Sequence, residues 1–78
     1  MQTDQVEIIL HVDETLVAKD QNAIVNDLQG KPGVKHAHFT PNRAHLVVVD
    51  YDPDRIQAAD VLGYIREEHV HAELIGGL

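Results

Sequence analysis

The chain has 78 residues, 44% of them apolar and none cysteine. That sets one small domain with a thin core, and it excludes a disulfide framework, a thiolate metal site and a thiol nucleophile. The formal net charge of −7, with histidines neutral, argues against nonspecific binding to nucleic acid or to an anionic membrane surface, both of which need lysine and arginine. No stretch has the charged start and apolar run of a signal peptide, and none is long enough to span a bilayer, so no membrane insertion is expected and a cytoplasmic protein is the default.

Met1 to Asp4 is polar. Gln5 to Val12 then alternates, with Val6, Ile8, Leu10 and Val12 on one face and Glu7, Ile9 and His11 on the other, the period of a strand with one buried face. Asp13-Glu14-Thr15 offers N-cap residues. From Leu16 to Gln29, Val17, Ile24 and Leu28 recur at helical spacing, joined by Leu16, Ala23 and Val25. Gly30 and Pro32 end that helix. In Val34 to Thr40, Ala37 and Phe39 are assigned to the core and His36 and His38 to the opposite face. Thr40-Pro41-Asn42-Arg43 carries turn chemistry. Ala44 to Tyr51 is apolar on both faces, Val47, Val49 and Tyr51 against Leu46, Val48 and Asp50, as an internal strand requires. Asp52-Pro53-Asp54 stops it.

The second helix starts at Gln57, with Ile56 and Val61 placed for a hydrophobic staple and Asp60 as the acid of its first turn. Val61, Leu62 and Ile65 form its buried stripe, and Gly63 is expected to allow close packing on the sheet. Val70 to Ile75 is the last strand, with Val70, Ala72 and Leu74 inward, and Gly76-Gly77-Leu78 reads as a tail. The pattern predicts strands over 6–12, 34–40, 44–51 and 70–75 and helices over 15–29 and 57–68. Right-handed crossovers around a hairpin turn that order into an α+β, ferredoxin-like βαββαβ domain over 1–78. Its antiparallel four-stranded sheet has the order 4-1-3-2, with two helices on one face and the other face open.

On those residues the chain resembles the heavy-metal-associated domain, the small unit of copper chaperones and metal-transporting ATPases. The likeness lies in Gly33-Val34 opening the second strand, in VVVDYDPD from Val47 to Asp54, and in Ile56 with Val61, Leu62 and Ile65. It implies a non-enzymatic, metallochaperone-like binding domain whose partner is a metal transporter or another protein. The family's metal motif is CxxC between the first strand and first helix. Counted back without gaps from Gly33-Val34, it falls on Val17-Ala18-Lys19-Asp20. Neither cysteine is present, so Cu(I) capture by thiolates does not carry over, and Val17 is expected to pack toward the core.

Histidine is the remaining metal ligand, six in 78 residues. The topology brings His11, His38, His45, His69 and His71 to one rim, with His11, His38 and His71 on the open face. His11 and His71 lie on neighbouring strands, and a directly opposed pair has Cβ atoms about 5 Å apart. His36 and His38 share a face of the edge strand, about 7 Å apart along it. Either pair can present two imidazoles to Zn²⁺, Ni²⁺, Co²⁺ or Cu²⁺, with Glu7, Asp50 and Glu73 as oxygen donors. Against this, His36-Ala37-His38 equally suits a polar edge that blunts aggregation. His45 suits a packed or turn-capping role, and His69 the helix-to-strand turn. Asp13-Glu14 reads as dipole compensation and Arg66-Glu67-Glu68 as a solvated face. No phosphate loop and no nucleophile with a base is visible, so an enzyme is not expected. The competing function is interaction: Ile9, Leu46 and Val48 give the open face an apolar centre, suited to a protein partner or to a homodimer formed sheet to sheet.

Overall fold

The computed structural model describes residues 6–41 and 43–77, with the side chains of 43, 44 and 77 left aside. Its elements are β1 (Val6–Val12), α1 (Ala18–Gln29), β2 (Val34–Thr40), β3 (Arg43–Tyr51), α2 (Ala58–Arg66) and β4 (Ala72–Gly77). The sheet order is β2-β3-β1-β4, and every neighbouring pair is antiparallel. Read from the other edge this is the predicted 4-1-3-2, and the fold is the ferredoxin-like α+β one. Thr40 is paired with Arg43, which closes the β2–β3 hairpin; Asn42 of the expected turn lies outside the described residues.

Period-two alternation decides which side of the sheet is covered. Ile8, Leu10 and Val12 of β1, Ala37 of β2, and Val47, Val49 and Tyr51 of β3 share one core with Ile24 and Leu28 of α1 and Val61 and Ile65 of α2. Both helices therefore lie on that face. Leu10, Leu28, Ile65, Val12, Val47, Val49 and Val61 are each less than 2% exposed. Burying a side chain of this size contributes about 1.5–3 kcal/mol, the main favourable term in so small a domain.

The α2 start is as the residues predict. The Gln57 N–H donates to the Asp60 carboxylate at 2.8 Å, and Ile56 and Val61 both reach the core. Gly33 has φ +85, and a Cβ there would meet three carbons of Ile56 at 2.8–2.9 Å. Only glycine suits that turn.

Five expectations need correction. The first helix begins at Ala18 with Val17 as N-cap in extended backbone, without a side-chain cap, because valine has no side-chain acceptor. Val17 points away from the core and is 65% exposed, the helix turning Ile24 and Leu28 inward and leaving its N-cap outside. Gly63 does not mark close packing, since a Cβ there meets nothing within 4 Å. The last strand runs through Gly77: a bulge at Ile75 steps the register so that Gly76 lies opposite Ile9 and Gly77 opposite Ile8. Leu74 lies opposite Leu10 on the helix side, as expected, but is 44% exposed rather than buried, because β4 is an edge strand whose helix cover ends with Val70 and Ala72.

Candidate metal site

The end of β1, the loop after it and the start of β4 meet at one rim. The register puts Glu73 opposite His11, and His71 one pairing step further along, where its carbonyl accepts the Asp13 N–H at 2.8 Å. That bond anchors the loop on β4 and holds the Asp13 side chain beside His11. His11 Nδ1 lies 3.2 Å from Asp13 Oδ1 and 3.4 Å from Glu73 Oε1. One donor atom from each of the three residues falls within 4.8 Å of the others. Two atoms bound at about 2.1 Å to one ion lie about 3–4 Å apart, so the His11 distances suit a shared cation. An open recess lined by Asp13, Arg66, Val70, His71, Ala72 and Glu73 adjoins the cluster.

The other histidines have distinct settings. The His71 N–H donates to Glu14 Oε1 at 2.9 Å, and His71 Nδ1 lies 2.6 Å from Glu14 Oε2. These hydrogen bonds from His71 hold the Glu14 carboxyl below its ordinary value, and the same carboxylate raises the His71 imidazole. His11 and His71 thus take different carboxylate partners. His45 Nδ1 is 2.8 Å from the Val12 carbonyl oxygen, and its ring stacks on His11 with centroids 5.6 Å apart, which backs the His11 ring. His36 and His38 are both exposed on edge strand β2, their ring centroids 5.5 Å apart. His69 stands in the turn after α2 with φ +65.

On the open face the register sets three rows: His36, Asp50 and Glu7; His38, Val48 and Ile9; Leu46, His11 and Glu73. Val48 is buried there although it is no part of the helix-side core, while Ile9 and Leu46 are half-buried. Asp50 Oδ1 is buried without a hydrogen-bond partner.

Asp13 and Glu14 are the residues that sequence reasoning missed, having been assigned to the helix dipole. For Asp13 a signal existed: His11 and Asp13 are separated by two, the spacing that returns a strand to the same face. The position of the CxxC motif, Val17 to Asp20, spans the N-cap and first turn of α1 and offers one carboxylate and no sulfur, so it does not fit Cu(I).

No family model matches the chain, and no curated protein matches it. Solved structures do. A copper binding domain from HMA7, a P-type ATPase, is 21% identical with a TM-score of 0.83, covering 92% of this chain and 96% of that one. A copper form of a CopA variant from Bacillus subtilis is 28% identical with a TM-score of 0.73, over 92% of this chain and 93% of that one. The apo copper chaperone of Enterococcus hirae is 22% identical with a TM-score of 0.76, over 87% and 98%. The chain resembles these heavy-metal-associated, copper-chaperone-like domains and has no cysteine. No described helix is long and apolar enough to cross a membrane.

Proposed function

We propose that this domain is a small, non-enzymatic metal-handling protein that takes a divalent transition ion on imidazole and carboxylate. Its structural neighbours include copper-binding domains and a copper chaperone, which supports metal handling on this scaffold. The observation that carries the finer reading is His11 within 3.2 Å of Asp13 and 3.4 Å of Glu73. One nitrogen and two oxygen donors suit Zn²⁺, Co²⁺, Ni²⁺ or Cu²⁺ and disfavour Cu(I), which prefers sulfur. His71, two residues before Glu73 on the same rim, is a further imidazole for the ion once it leaves Glu14. Three protein ligands leave coordination positions open, as an ion that is passed on requires, and a metal transporter is the partner that such a cargo implies.

Calorimetric titration with the four ions tests this. Wild type should bind at least one of them, and Asp13→Asn/Glu73→Gln should weaken that component by more than the about 10–100-fold that a lost outer-shell partner costs. If no ion binds more tightly than about millimolar, roughly −4 kcal/mol, the metal reading fails. The second reading then takes its place: Ile9, Leu46 and Val48, contiguous on the open face, receive a protein partner or a second copy, and that association survives a chelator.

A further inference from the structure

We propose that His36 and His38 form a second metal site, distinct from the rim, in which one divalent ion joins two copies of this chain. On a tetrahedral ion with metal–nitrogen bonds of about 2.0–2.1 Å, two imidazoles hold their ring centres about 5 Å apart. The His36 and His38 rings are 5.5 Å apart, both exposed and on one face of an edge strand. The pair is held from behind. Ala37 between them is 1% exposed in the core, and its outward N–H donates to Gln29 Oε1 of α1 at 3.0 Å. The backbone between the two rings is therefore fixed, and the entropy lost on chelation is correspondingly small.

The same contact selects the mode of association. An edge strand invites another chain through its free N–H groups. Here the N–H at the middle of β2 is taken, so a second copy is joined through side chains. Asp50 adds an independent sign. It is the cross-strand neighbour of His36, and its buried Oδ1 has no hydrogen-bond partner. A metal-bound imidazole commonly gives its other N–H to a carboxylate, the role that Asp50 takes for His36.

Two imidazoles fill half of a tetrahedron. Among the described residues no group of three donors includes this pair: the cluster of three lies on β1, the loop after it and β4. A second copy related by a two-fold axis brings the other two imidazoles, giving four nitrogens in two symmetry-related pairs and a closed dimer. The acidic chains repel one another, with −7 on each, so the assembly depends on the ion.

Sedimentation velocity on the full chain, with and without Zn²⁺, tests the proposal. The Asp13→Asn/Glu73→Gln variant, stripped of the rim site, should double in mass at one ion per two chains and return to monomer with a chelator. His36→Ala/His38→Ala should remain monomeric with Zn²⁺, as should His36→Gln/His38→Gln, which keeps the edge polar. These side chains lie outside the core, so circular dichroism should be unchanged. A rim variant that stays monomeric with Zn²⁺, whether or not it binds the ion, overturns the proposal. Doubling that persists in either histidine variant does so equally. Zn²⁺ binding by the histidine variants reads the rim site alone, so the two sites stand or fall separately.

Discussion

The carboxylate of Glu14 reaches across from the loop after β1 to His71 at the start of β4, and the charge of each supports the charge of the other. Glu14 is held below 4.5 chiefly by the hydrogen bond from the His71 side chain, and His71 is raised above 6.5 chiefly by the hydrogen bond its ring donates to Glu14. A depressed carboxyl contributes stability above its unfolded value and loses it as pH falls through its folded value. A raised imidazole contributes below its unfolded value and loses it as pH rises through its folded one. The ion pair is therefore fully formed between 4.5 and 6.5, and solvent screens it because both groups are open to water. An NMR titration should place the His71 midpoint above 6.5, and Glu14→Gln should lower it. A His71 midpoint unaffected by Glu14→Gln would contradict the contact. At this scale the sequence showed the donors and not their partners: Asp13 and Glu14 are adjacent in the chain, yet one meets His11 and the other His71.

Among the elements, two glycines separate backbone need from tolerance. Gly63 lies in the middle of α2 with open space where a Cβ would stand. Gly63→Ala should therefore stabilise the domain by about 0.5–1 kcal/mol, the helical disadvantage of glycine. Gly33 combines φ +85 with Ile56 carbons at 2.8–2.9 Å. Gly33→Ala should destabilise by about 1–3 kcal/mol, through the strained backbone and the displaced Ile56. Urea denaturation of the two variants should move the midpoint in opposite directions; the same sign for both would refute the assignment. The sequence placed the helix and the turn. It did not show what surrounds each glycine, which depends on elements distant along the chain.

For the molecule as a whole, one layer of side chains between the sheet and two helices carries the stability. A chain of this length holds on the order of 4–12 kcal/mol in total. Leu10 is fully buried at the centre of β1, between Val47 and Leu74 in the register. Leu10→Ala should cost about 2–5 kcal/mol, a large part of that total. Its urea midpoint should fall steeply, while His36→Ala/His38→Ala, on the uncovered side, should leave it nearly unchanged. The domain thus keeps its metal-ligand candidates off the face that holds it together, and ligands can change there without loss of the fold.

By itself the sequence determined the order of the elements, the covered and open faces of β1, β2 and β3, the α2 start and the absence of any thiolate site. Each follows from local chemistry: period two in Val6 to Val12, the Gln57–Asp60 spacing, and the lack of sulfur. Tertiary structure decided the rest. The bulge at Ile75 carried Gly76 and Gly77 into the sheet, and the register set Glu73 opposite His11. The loop folded onto β4 brought Asp13 to His11 and Glu14 to His71. A one-residue step in pairing leaves no trace in alternation or composition, yet it selects which side chain faces which. The partners at the rim were therefore fixed by how the edge strand docks, not by any stretch of the chain read alone.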